Sequence, residues 1–300
     1  MTFLQDAFMQ RALVAAILIG ITAPAVGIYL VQRRQAIMGD GIGHVALTGV
    51  ALGFLTGTNP VWMAVLVSSA GAVAMELVRA RGRTQGDIAL AMLFYGGMSG
   101  GVLLIHLSPN GSNANLLSYL FGSITTVSQE DVVVIGILAA VVVAVTVGLR
   151  RQLFAVCQDE EFARVTGLPV RLLNIVLAVT AAVTVTVAMR VVGLLLVSAL
   201  MVVPVAAAQQ LTRGFAATMA FAVAIGLTVT TSGTVYTYYV DVPSGATIVV
   251  MAIGVFLAVT ALAAPLAKRR ARRSAAPVSE EAECTLEPSR SRSPEDDVRV

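Results

Sequence analysis

Asp40 and His44 stand four residues apart in the stretch Asp40-Gly41-Ile42-Gly43-His44, and His44 is one of two histidines in the chain. On a helix, residues four apart share a face, so a carboxylate and an imidazole can reach one point here. A mixed oxygen and nitrogen pair of this kind suits Mn, Fe and Zn alike. The run around the pair is apolar and carries Gly39, Gly41, Gly43, Gly49 and Gly53. Such small residues permit close helix packing, or form a wall beside a cavity. An ionisable residue in an apolar run is costly inside a membrane and needs a partner or a task. A plainer reading stands beside the metal one: Asp40 caps a helix at the membrane surface and His44 makes a packing hydrogen bond. Hydropathy puts the pair near one end of its run, which favours the cap, whereas a dipped or broken helix sets it deeper.

The elements that hold this pair belong to a membrane. The 300 residues are 57% hydrophobic and 12% charged, against about 25% charged in a soluble domain. Apolar runs long enough to cross a bilayer fall at 8–31, 41–56, 61–78, 88–107, 132–149, 172–189, 191–209, 215–239 and 246–267. The expected fold is all-α, a polytopic helical bundle of about nine transmembrane helices, with eight to ten compatible with the runs. The first run is too long for a signal-peptide core and ends in Gln32-Arg33-Arg34, so it reads as a span. Only Arg190 separates the sixth and seventh runs, which requires a tight hairpin or a broken helix.

The charges set the orientation. Arg33 and Arg34, then Arg79, Arg81 and Arg83, then Arg150, Arg151, Arg164 and Arg171, then Arg213, and last the 268–273 cluster with the tail occupy alternate loops. Of 20 Lys and Arg residues, only Arg11 and Arg190 fall outside that set. The asymmetry puts the basic loops and the C-terminus in the cytoplasm and the N-terminus outside. It also explains the net charge of +3 without nucleic acid. Cys157 and Cys284 both fall on the cytoplasmic side, where a disulfide does not form.

Domain organisation follows: a transmembrane domain over 1–267, with a cytoplasmic helix at 158–169 inside it, and a basic, then disordered tail over 268–300. The stretch after residue 274 is rich in Ser, Pro, Glu and Arg and cannot bury a core. A turn at 109–113 begins a long external connection. Lys268 is the sole lysine, so no GxxxxGK[ST] phosphate loop exists and the chain has no ATPase site of that type. HExxH and GxSxG are absent too, which disfavours an intramembrane hydrolase.

Three other segments carry information. In 158–169, Asp159, Glu160 and Glu161 suit the positive start of a short helix. Gly167 suits its C′ position and Pro169 ends it. Phe162 and Val165 share a face, either to join two spans or to dock a soluble partner. In 190–204, Gly193, Ser198 and Ala199 are small and Pro204 can kink a span. His106, at the outer end of the fourth run, reads as structural or solvated.

In this order, the segments resemble the metal-type ABC transporter permeases, whose substrates include zinc, manganese and iron. The matching residues are Arg33-Arg34, Met38-Gly39-Asp40 with His44, and Gly49-Val50-Ala51-Leu52-Gly53. Phe121-Gly122-Ser123-Ile124, Asp159-Glu160-Glu161-Phe162-Ala163, Gly167-Leu168-Pro169 and Arg190-Val191-Val192-Gly193 through Pro204 follow. The resemblance covers about residues 10 to 265. It implies a type II-like importer permease in the bacterial plasma membrane, working as a homodimer. Its implied partners are two ATP-binding subunits and an external solute-binding protein; no cofactor is implied, and the metal is cargo. Asp40 and His44 match positions that line the metal path. Asp159, Glu160, Glu161, Phe162, Ala163 and Gly167 match the coupling helix that meets the ATPase. Gly41 and Gly43 stand where the family often has Ala and Ser. A self-contained secondary metal transporter is the alternative, with Asp40, Glu76 and Asp87 as its only candidate coupling carboxylates. A membrane scaffold without transport is a third.

Overall fold

The computed structural model describes residues 6–80, 86–108, 113–122, 127–240 and 242–274. Arg81, Arg83, the 109–112 turn, Ser123-Ile124 and the tail from 275 with Cys284 lie outside the described residues, as does the side chain of Asp87. Among the described residues every regular element is a helix. These are α1 (Ala7–Gln32), α2 (Met38–Thr56), α3 (Pro60–Ala80), α4 (Gly86–Leu107), α5 (Asn113–Phe121), α6 (Gln129–Gly148), α7 (Arg150–Gln158), α8 (Glu160–Val165), α9 (Val170–Met189), α10 (Leu194–Leu211), α11 (Phe215–Tyr239) and α12 (Ser244–Ser274). Nine of them are long and apolar enough to cross a membrane; α5, α7 and α8 are not. Two compact units divide the chain, Met1–Thr260 and Ala261–Val300. The second contains, among the described residues, only the remainder of α12.

Helices α1 and α9 form the centre of the first unit. Residues 22–30 of α1 and 180–189 of α9 are buried without a break. That suits helices that are apolar all round. Helix α1 packs on α11, α10, α6 and α9, while α2 is enclosed by α3, α4, α9 and α10. Gly27 of α1 lies against the backbone of Met201 in α10, where a Cβ would collide with the carbonyl.

The structure moves one helix boundary from the sequence reading and supplies the tight turn that the reading required at another. Helix α2 starts at Met38 rather than 41, so Asp40 lies inside its first turn, where the helix dipole favours a carboxylate. The sixth and seventh runs are two helices, α9 and α10, joined by a turn at 190–193. Gly193 makes that turn with φ 89, a conformation that only glycine adopts cheaply.

Polar contacts cross-link each end of the bundle. At one end Tyr238 donates to Asp6 Oδ2 at 2.7 Å, and Arg190 pairs with Asp131. At the other end Arg33 and Arg79 both pair with Glu160 of α8. This second, basic end holds the starts of α2 and α9 and the ends of α1 and α3.

Candidate functional site

Helix α2 presents Asp40 half-buried and His44 buried, with 6% of its surface exposed. The N-cap position is Ile37, and no side-chain cap hydrogen bond forms there. Asp40 therefore does not cap the helix. No ion pair found among the described residues includes it. His44 Nδ1 is buried and has no hydrogen-bond partner. The carboxylate and the imidazole lie one turn apart, in the first two turns of α2 at the basic end.

The walls around the pair come from two helices. The Phe94 ring of α4 meets the His44 ring edge-on, with centroids 4.4 Å apart. Three residues on, Gly97 lies so close that a Cβ would come within 2.7 Å of the His44 carbonyl carbon. The carbonyl of Gly97 itself accepts a 2.7 Å hydrogen bond from Thr48 Oγ1 of α2. Helix α10 supplies the other wall, with Ser198 and the Met201 sulfur at Gly39. The α2 glycines serve packing: Gly49 and Gly53 meet the α3 backbone, and Gly43 meets Leu194. Among the described residues no group of three or more His, Cys, Asp or Glu side chains could hold a metal ion. Asp40 and His44 are therefore a pair of possible donors and not a complete ligand set. His106 is exposed in the last turn of α4, away from the pair.

Within 158–169 the helix is α8, separated by Asp159 from the end of α7 at Gln158. The Asp159 carboxylate is the N-cap of α8, accepting from the backbone N–H groups of Glu161 at 2.9 Å and Phe162 at 3.0 Å. Gly167 closes the helix with φ 83, and Leu168 N–H donates back to Ala163 O at 3.1 Å, a C-terminal closure that needs the left-handed residue. Pro169 then caps α9. Ala163 is buried against the bundle, while Phe162 is 64% and Val165 87% exposed.

Glu160 turns the other way. One of its carboxylate oxygens accepts from Arg33 at the end of α1, from Arg79 of α3 at 3.4 Å, and from Asn174 Nδ2 of α9 at 3.3 Å. Arg33 also donates to Asn174 Oδ1 at 2.9 Å, and Arg79 lies 3.6 Å from the buried Glu76 carboxylate. The sequence reading missed this network. Its signal was Asn174, an amide in an apolar run, together with Arg33 and Arg79, which read only as loop charges. A second group at the far end was missed as well. Arg190 pairs with Asp131, donates to the Tyr119 hydroxyl at 2.9 Å, and lies over the Tyr119 ring.

Among the described residues, a bundle of nine apolar helices with a short exposed helix at its basic end has the form of a membrane permease. The family model described as the ABC 3 transport family matches residues 5–263, and the chain belongs to that family. A probable metal transport system membrane protein of Treponema pallidum is 36% identical over 260 residues, covering 86% of this chain and 97% of its own length. The manganese transport system membrane protein MntC of Halalkalibacterium halodurans is 30% identical over 253 residues, covering 84% of this chain and 86% of its own. Among solved structures, PsaBC from Streptococcus pneumoniae in complex with Fab superposes with a TM-score of 0.78 at 28% identity, covering 86% of this chain and 92% of that one.

Proposed function

We propose that this chain is the permease subunit of an ATP-driven importer for a divalent transition metal, manganese or zinc. A solute-binding protein delivers the ion outside, two ATP-hydrolysing subunits act at the basic, cytoplasmic end, and a second copy of the chain completes the path. The protein lies in a bacterial plasma membrane with its C-terminus inside. It contributes binding and movement, and its partner hydrolyses ATP.

The observation that carries this reading is His44 Nδ1, buried without a hydrogen-bond partner one turn from the half-buried Asp40. A buried polar atom left unpaired costs about 1–3 kcal/mol. A passing cation that accepts the imidazole lone pair removes that cost and is itself partly compensated for lost water. Two ligands per chain hold an ion weakly enough to release it, which conduction requires. The donor pair accepts manganese, iron and zinc, and the relatives include systems named for each of the three.

At α8 the roles of the matched residues divide. Phe162 and Glu161 face out and meet the ATP-hydrolysing partner. Asp159 and Gly167 fix the ends of the helix, and Ala163 seats it on the bundle. Uptake of radiolabelled manganese and zinc by cells carrying Asp40→Ala or His44→Ala tests the path. Both variants abolish uptake while the complex still assembles; wild-type uptake in both overturns the assignment. Competition among manganese, zinc and iron in the wild type then ranks the metals.

A further inference from the structure

We propose that Glu160 is a positioning residue that transmits the position of α8 to the metal-path helix α2, through Arg33. This rests on the reading of α8 as the docking helix. Of the residues matched on that helix, Glu160 reaches into the bundle, and everything it touches sits at the base of a span.

The network has a balanced composition. Arg33 and Arg79 supply two positive charges, Glu160 and Glu76 two negative ones, and Asn174 bridges Glu160 to Arg33. The Arg33 side chain is 5% exposed, so its charge depends on Glu160: an unpaired buried cation is strongly destabilising. Arg33 therefore has to follow Glu160 when α8 shifts. What lies next along the chain makes this consequential. Arg34 holds a left-handed backbone with φ 57, a conformation that costs a non-glycine residue about 1–3 kcal/mol and persists only where its surroundings enforce it. Four residues later α2 begins, and Asp40 is in its first turn. The strained turn is thus the shortest covalent link between the ion pair and the metal ligand.

There is room for the movement. A cavity of about 280 Å³ adjoins the tie, with Arg33, Arg34, Met38, Arg79 and Leu90 in its walls. Leu90 also contacts α2 at Gly41, beside Asp40. A change at Arg33 can therefore be taken up by repacking into this space rather than by breaking the bundle. At the opposite end Gly122, Gly193 and Gly245 press backbone on backbone.

The test uses the full importer, permease with its ATP-hydrolysing partner, reconstituted in vesicles with manganese as the probe. The readout is metal moved per ATP hydrolysed. Glu160→Gln keeps the Asn174 hydrogen bond but removes the charge, and it lowers that ratio roughly tenfold, within the usual range for coupling between two sites. The exchanged pair Glu160→Arg with Arg33→Glu restores most of it. Phe162→Asp, run in parallel, detaches the partner. A wild-type ratio in Glu160→Gln overturns the transmission role. So does a loss of stability with the ratio unchanged, which marks a purely structural tie. A partner retained in Phe162→Asp overturns the docking reading instead, so the two failures are told apart.

Discussion

The His44 ring meets the Phe94 ring edge-on, with centroids 4.4 Å apart and planes at 72°. The imidazole is therefore covered by an aromatic side chain from α4, not open to the surroundings. Phe94→Ala uncovers it. The imidazole then reacts with diethyl pyrocarbonate several-fold faster, since it gains solvent while its place on α2 stays fixed by Gly97 and Thr48. Unchanged reactivity would show that another side chain closes the site. The truncation also leaves a cavity. Because Phe94 is only half-buried, the loss of stability is about 2 kcal/mol, below the 3–5 kcal/mol of a fully buried phenylalanine. Thermal unfolding in detergent measures it.

The pair of Asp131 and Arg190 locks the opposite end. Their side chains are 11% and 16% exposed, so removing one partner strands the other in a poorly solvated place. Asp131→Asn, which leaves the capping contacts with Ser128 largely in place, costs about 2 kcal/mol, a value reduced from that of fully buried pairs. Arg190→Met costs a similar amount. The double variant costs clearly less than the sum, because neither charge is left alone. Thermal unfolding of the four proteins checks the cycle, and strict additivity would mean the pair contributes nothing.

Much of this architecture can be read from the chain because membrane physics is local. Apolar length gives the spans, and cap chemistry gives α8: Asp159, Gly167 and Pro169 each act on neighbours within four residues. Asp40 and His44 stood out because ionisable groups in an apolar run demand a reason. The inward turn of Glu160 was not legible, since it depends on Arg33, 127 residues earlier. Loop arginines serve topology equally well whether free or paired. Arg190 did give a sign. Like Arg11, it broke the charge asymmetry, and a cation at the less basic end calls for an anion, which the fold supplies to Arg190 as Asp131.

Gly193 and Gly167 have nearly the same backbone, φ 89 and φ 83, in different surroundings. A Cβ on Gly193 would collide with the backbone of Phe121 and Gly122, whereas none of the described atoms lies within 4 Å of one on Gly167. Gly167→Ala therefore meets only the conformational strain, about 1–2 kcal/mol. It weakens the end of α8 while the protein accumulates normally. Gly193→Ala adds a backbone collision that no rotamer relieves, so the protein fails to accumulate in the membrane. Equal expression of the two variants, by immunoblot of membranes, would refute the distinction.

Burial pushes the Cys157 thiol up to about 11, against an ordinary value of 9.0, with Arg33 partly opposing and Glu160 adding to the rise. The thiol sits on α7 beside the Tyr29 carbonyl, 3.9 Å away. The folded protein holds this proton more tightly than the unfolded chain does. Its contribution to stability is complete below pH 9 and is lost as the pH rises from about 9 through about 11. Between those limits the wild type should lose stability more steeply than Cys157→Ala, which has no proton there to lose. Below pH 8 the two curves should run parallel, with the variant offset only by its smaller side chain. Melting temperatures of the purified proteins across that range decide the matter. Parallel curves up to pH 11 would mean that the thiol ionises as freely in the fold as in the unfolded chain, and that α7 is not seated on the bundle as described.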